Sequence, residues 1–250
     1  MTECEASLNI SDPHPRGRIW RWILGIGLLL TATAMAIAVI LVVHWIRQAS
    51  TVVCGAHLYR LGYGMLLYQE EHGHLPPAYT VAPDRRRMHS WRILVILSDY
   101  FVRGYDFDEP WDSAKNKQFG DDRPSRYACP SAPATRGGER LTNYFVVTGN
   151  TTPFPGSGTT SLPIFAGPRG RSKTILIVES SNLNVEWLEP RDLTFDEMSF
   201  VPNDPKRPSI SSYHPDGPLV LMADGSTRSI KGIAPEVLRA MLQHMPDGDK

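Results

Sequence analysis

Ile23–Val43 reads ILGIGLLLTATAMAIAVILVV, without one charged residue. A helix of ~20 apolar residues, rising ~1.5 Å per residue, crosses a hydrocarbon core ~30 Å thick. No later segment stays apolar over such a length, so the sequence predicts a single crossing. Trp20, Trp22 and Trp45 stand where an aromatic belt meets the headgroups, and His44 reaches the same interface. Arg16, Arg18 and Arg21 precede the span, whereas Arg47 follows it and the next Lys or Arg is Arg60. That imbalance predicts a cytoplasmic N-terminus and an external C-terminal part. A cleaved signal peptide fits less well, because the run exceeds a ~7–15-residue h-region and no small-x-small site closes it. Cys4 precedes the apolar run instead of ending it, which is not the place of a lipid-modified cysteine. The expected organisation is a cytoplasmic tail over 1–21, a transmembrane helix over 22–46, an extension of that helix over 47–73 and a head over 74–250.

The chain of 250 residues carries 26 basic and 26 acidic side chains. Glu3, Glu5 and Asp12 balance Arg16, Arg18 and Arg21 before the span, so the outer part is near neutral as well. Nothing in this balance points to a nucleic-acid partner. The ~200 residues beyond the span are enough for one domain with a real core. Cys54 and Cys129 fall outside the membrane. In an oxidising compartment such a pair predicts one disulfide, the alternative being two buried thiols.

The helix is expected to continue past the membrane. Cys54, Leu58, Leu61, Met65 and Tyr68 recur at helical spacing and make one apolar stripe. Gly73 supplies a stop, and Pro76-Pro77 forbids continuation. Gly55, Gly62 and Gly64 each weaken the helix by ~1 kcal/mol relative to Ala, or else allow another element to approach closely. Beyond Pro77 the chain turns rich in strands and loops. Trp91 to Leu97 reads as a short helix; Asn143 to Thr148, Thr174 to Glu179, Leu219 to Ala223 and Ser226 to Ile230 read as strands. Asp224-Gly225 between the last two is a strong hairpin signal. Pro235 to Met245 reads as a final helix.

These landmarks come in a recognisable order: Tyr68, Gly73 and Pro76-Pro77-Ala78; His89-Ser90-Trp91-Arg92; Asp108-Glu109-Pro110-Trp111-Asp112-Ser113; Tyr127 and Cys129-Pro130-Ser131; Thr174 to Glu179; and His214, nine residues, Asp224-Gly225. Over residues 54–245 the sequence resembles a large bacterial family of prepilin-like proteins with a domain of unknown function. That family carries a C-terminal "prepilin-type processing-associated" His-x9-Asp-Gly motif, here His214, Asp224 and Gly225. The resemblance implies an α+β fold in which a long N-terminal pilin-like helix packs on an antiparallel β-sheet head, similar to type II secretion pseudopilins. It implies no catalytic residues. The N-terminus departs from the family pattern. Gly17, the only glycine before the span, is followed by Arg18-Ile19-Trp20-Arg21-Trp22, without the expected phenylalanine or the glutamate at the fifth position. Processing after Gly17 and filament assembly are both in doubt on that account.

Several constellations have a chemical and a plain reading. His214 with Asp224 is read as a pair of turns, since one histidine and one turn aspartate do not make a catalytic set. Asp106, Asp108, Glu109 and Asp112 offer the oxygens a calcium ion needs, but not the EF-hand pattern. Pro110-Trp111 in their midst reads as a loop pinned by a buried ring. Gly167 to Thr174 is similar to a phosphate loop only superficially, because Ser172 takes the place of the second glycine. A Cys54 or Cys129 nucleophile lacks a local signature. Arg85-Arg86-Arg87 reads as a solvated run. Trp91, Trp111 and Trp187 read as core or anchor residues, or as a stacking groove for sugars if exposed.

The expectation is therefore a single-pass protein of the inner membrane with its head in the periplasm. It is not an enzyme and needs no cofactor, calcium being the one candidate. Its partners are the lipid bilayer and other pilin-like subunits or a secretion assembly. The alternatives are a binding module for extracellular polysaccharide and a metal-dependent envelope enzyme.

Overall fold

A computed structural model describes residues 15–96, 104–133, 138–160 and 171–243. Leu97, Pro163, Met245, Cys4 with most of the cytoplasmic tail, and Gly167 to Gly170 lie outside them.

Helix α1 (Pro15–His72) is followed by β1 (Tyr79–Val81), β2 (Arg87–Ser90), α2 (Trp91–Leu94) and α3 (Ala114–Lys117). Then come β3 (Leu141–Thr142), β4 (Tyr144–Phe145), β5 (Val147–Thr148), β6 (Ile175–Glu179), β7 (Val185–Glu186), β8 (Leu193–Thr194), β9 (Leu219–Met222), β10 (Thr227–Ser229) and α4 (Pro235–Leu242). The chain divides into two compact units, one up to Ile46 and one from Arg47 onward. The first is the apolar stretch of α1, helical throughout and with a mean hydropathy of 2.7 over its most apolar window. All its large apolar side chains from Ile23 to Ile46 are exposed, Leu28 at 71% and Ile40 at 66%. Gly17 lies in the first turn of α1.

The second unit is organised around a four-stranded antiparallel sheet in the order β10-β9-β6-β4. Its central strands are buried on both faces. Along β9, Leu219 and Leu221 pack into a core with Cys54, Leu58, Leu61 and Met65 of α1, while Val220 and Met222 pack with Leu238 and Leu242 of α4. Alternate residues of a strand point to opposite faces, so a sheet covered on both sides requires the apolar runs LVLM and, before Glu179, ILIV. A register shift between Ile175 and Ile177 marks a bulge in β6 opposite β9.

The expected stripe on α1 is the buried one: Cys54, Leu58, Leu61 and Met65 are at most 1% exposed, and Tyr68 packs partly against them. The glycines beside it permit close approach. A Cβ on Gly62 would run into the buried side chain of Leu221, and one on Gly64 would stand 3.0 Å from the Val95 carbonyl oxygen. Gly73 ends the helix at φ +78°, its N–H returning 2.8 Å to the Gln69 carbonyl. The β9–β10 hairpin turns where Asp224-Gly225 predicts, through a three-residue connection closed by Met222 N–H to Ser226 O at 2.8 Å, with Gly225 at φ +79°.

One expectation differs. The apolar run from Asn143 to Thr148 is not one strand, since β4 pairs with β6 and β5 pairs in parallel with β8. The cause is Asp192, whose Oδ1 accepts the Val146 N–H at 3.0 Å between them. That oxygen also accepts Trp91 Nε1–H at 3.1 Å and binds the Arg92 guanidinium at 2.6 Å. Arg92 is fully buried and also donates to the Tyr144 carbonyl at 3.0 Å and the Ser90 hydroxyl at 2.8 Å. The tryptophans follow the core or anchor reading. Trp91 and Trp187 are buried and Trp111 packs against the core, so they form no open stacking groove for sugars.

Candidate metal centre

Four side chains from distant parts of the sequence meet under the sheet face that carries α1. Cys54 arrives on α1 because it belongs to the buried stripe. Cys129 follows a short 3-10 turn at Ser125–Tyr127 and is held by its N–H, which donates to Asn143 Oδ1 at 2.8 Å. Glu179 ends β6. His214 opens the turn His214-Pro215-Asp216-Gly217, closed by Gly217 N–H to His214 O at 3.2 Å with Gly217 at φ +81°. The segment before it is tied to the end of β6 by Ser211 N–H to Glu179 O at 3.0 Å and by Ser180 Oγ to Ser209 O at 2.8 Å.

Cys54 is 0% exposed, Cys129 5%, Glu179 1% and His214 5%. Their ligand atoms all lie within 4.8 Å of one another. His214 Nε2 stands 3.1 Å from Cys54 Sγ, 3.3 Å from Cys129 Sγ and 3.5 Å from Glu179 Oε1. Its other ring nitrogen, Nδ1, faces the hydroxyls of Thr51 and Ser131, both at 3.4 Å. Glu179 Oε2 accepts the Leu219 N–H at 2.7 Å, while Oε1 has no hydrogen-bond partner.

The expected disulfide is not formed. Cys54 and Cys129 are free thiols with their sulfurs 3.3 Å apart, against ~2.05 Å for a bond. The Cys54 thiol donates to the Cys129 sulfur, and both sulfurs turn toward the imidazole. The Cys54 hydrogen bond, then burial opposed by His214, leaves the Cys129 thiol lowered to about 6. Contact with Cys129, then with Glu179, raises His214 to about 10. Donation to Cys129 together with burial pushes the Cys54 thiol up.

Two kinds of chemistry use such groups. A nucleophilic triad places the carboxylate on the imidazole nitrogen opposite the nucleophile. Here both sulfurs and the carboxylate oxygen converge on the same nitrogen, Nε2, and Nδ1 meets only hydroxyls. Donors gathered about one point describe a coordination shell instead.

The other candidate residues sit elsewhere. Asp224 accepts from the backbone and hydroxyl of Ser226 in the hairpin turn, so the two halves of the His-x9-Asp-Gly motif serve different places. In the acidic loop, Asp106 takes Lys115 Nζ at 2.8 Å and the Asp108 N–H at 3.0 Å, and the Lys115 bond holds its carboxyl below the usual range. Buried Asn116 occupies the carbonyls of Asp106, Glu109 and Pro110 with its Nδ2. Glu109 and Asp112 add exposed side chains to this loop. Arg87 is not simply solvated: it donates to the Pro190 carbonyl at 3.1 Å and lies over the Tyr79 ring. Glu179 went unnoticed in the sequence, where it is one more residue closing an apolar strand.

Residues 47–194, more than half of the chain, match the family described as "Protein of unknown function (DUF1559)". The chain belongs to this family. The DUF1559 match includes Cys54, Cys129 and Glu179 and ends before His214, so the His-x9-Asp-Gly motif lies beyond it. Neither the curated proteins nor the solved structures contain a match.

Proposed function

We propose that this DUF1559 protein is a single-pass membrane-anchored envelope protein whose head has a structural or interaction role, as in pseudopilins, and no catalytic one. The supporting observation is the apolar segment of α1, exposed along its whole length from Ile23 to Ile46 and flanked by Trp20, Trp22 and Trp45. Only lipid or a neighbouring apolar helix covers such a surface without cost. The Arg16, Arg18 and Arg21 bias favours an inner-membrane protein with a cytoplasmic N-terminus and a periplasmic head. There it meets other pilin-like subunits or a secretion assembly. The non-catalytic reading is supported by the buried cluster, in which both sulfurs and the carboxylate oxygen converge on one imidazole nitrogen and so do not line up as a nucleophilic triad.

Protease added outside spheroplasts that hold the full chain is expected to remove the head. A head protected until the membrane is permeabilised would overturn the orientation. Intact mass of the chain extracted from that membrane then distinguishes two anchors. Loss of residues 1–17 marks a processed, pilin-type subunit, and a full-length mass marks a permanent anchor.

A further inference from the structure

We propose that Cys54, Cys129, Glu179 and His214 are the ligands of a structural zinc ion that fastens the membrane-proximal end of the head's helix to its sheet. The donor set is two sulfurs, one imidazole nitrogen and one carboxylate oxygen. That set suits a borderline-soft cation and is wrong for calcium or magnesium, which take oxygen. Zinc bonds of ~2.0–2.3 Å in a tetrahedron place donors ~3.3–3.8 Å apart. The distances from His214 Nε2 to the other three donors, 3.1, 3.3 and 3.5 Å, need only small outward shifts to reach that shell.

Two buried polar atoms that lack partners point to the same occupant. Glu179 Oε1 is aimed into the cluster without a hydrogen bond of its own, His214 Nε2 standing 3.5 Å away. The Tyr144 hydroxyl, likewise without a partner, lies beside Cys54. A cation at the centre ligates the first directly. It also turns Cys54 into a thiolate, which the second can donate to.

The outer groups fit as well. Hydroxyls of Thr51 and Ser131 face Nδ1 of the ligating imidazole, and the Leu219 N–H fixes the carboxylate. Two thiolates and one carboxylate around a dication leave one negative charge, which these donors and Tyr144 surround. Binding releases two protons, held among the thiols and the imidazole, to solvent and involves no change of oxidation state. A cleft of about 350 Å³ lined by Cys129, Asn143, Ser180 and Tyr213 gives the ion a way in.

The test uses the full chain in detergent, reduced, loaded with zinc alone and passed through a desalting column. Metal is counted by mass spectrometry and thiols by maleimide. One zinc per chain is expected, with Cys54 and Cys129 unreactive until a chelator is added. Cobalt in place of zinc should give a thiolate-to-cobalt charge-transfer band and the intense visible bands of a tetrahedral site. Cys129→Ser and His214→Gln should lose the retained metal, Glu179→Gln should keep the thiolate band while binding more weakly, and Asp108→Asn should retain zinc fully. The wild-type measurement needs no variant to fold. A reduced wild-type chain that retains no zinc, with both thiols open to maleimide, overturns the proposal. So does a chain in which Cys129→Ser and His214→Gln retain zinc as the wild type does.

Discussion

Arg92 is the side chain on which most of the head's interior polarity converges, being 0% exposed and bonded to Asp192, Tyr144 and Ser90. Its removal strands the Asp192 carboxylate in the core. Arg92→Met is therefore expected to cost on the order of 3–5 kcal/mol, read as a lowered urea midpoint at unchanged slope. His89 gives the head a dependence on pH. It is buried, its Nδ1 against the Tyr105 hydroxyl at 2.9 Å and its Nε2 against the Phe107 carbonyl at 3.0 Å, and burial holds it below its ordinary value. The unfolded chain takes up this proton near pH ~6.5 and the folded head only at lower pH, so stability falls as pH drops below ~6.5. His57, also lowered by burial, acts in the same direction. His89→Gln should therefore show a shallower loss of urea midpoint between pH 7.5 and 5.5 than the wild type. At this scale the sequence shows the residues but not their company. His214 and Cys129 stand out as residue types. Glu179 and Asp192 become special only when chain segments 35 to 125 residues distant fold against them, and no local pattern encodes that.

Among the elements, α1 was the most legible, because a helix writes its buried face as a repeat every three or four residues. The β-strands at 144–148 were less so. A continuous apolar run does not reveal that a side chain from elsewhere, Asp192, takes the hydrogen bond of its middle residue. The glycines of α1 carry a direct test. Gly62→Ala adds ~1 kcal/mol of helix propensity, yet its methyl would overlap the side chain of Leu221, which is 1% exposed. A net loss of about 1–2 kcal/mol is expected by thermal or urea unfolding. Gly25→Ala, with nothing within 4 Å of the new methyl, should leave the midpoint unchanged.

For the whole molecule, both hydrophobic clusters draw only on residues between Cys54 and Leu242. The head therefore has a complete core of its own, and residues 47–250 are expected to remain soluble and to unfold in one cooperative transition. The full chain should stay with the membrane pellet after an alkaline wash. A soluble full chain, or a fragment that aggregates on expression, would contradict this division. The division itself was legible from charge and hydropathy, since one span and one neutral remainder leave few arrangements. How β6 and β9 come to sit between two helices was not, because apolar runs of that length fit several sheet orders.

The four-residue cluster also imposes an order of events on the growing chain. Cys54 and Cys129 are 75 residues apart, and His214 comes 85 residues after Cys129. At a synthesis rate of ~5–20 residues per second, both thiols wait roughly 4–17 s before the imidazole that both of them face has been made. During that interval a direct sulfur–sulfur bond has no competitor. The pair is thus open to oxidant before the ribosome has supplied the imidazole, and a chain cut short before His214 never acquires it.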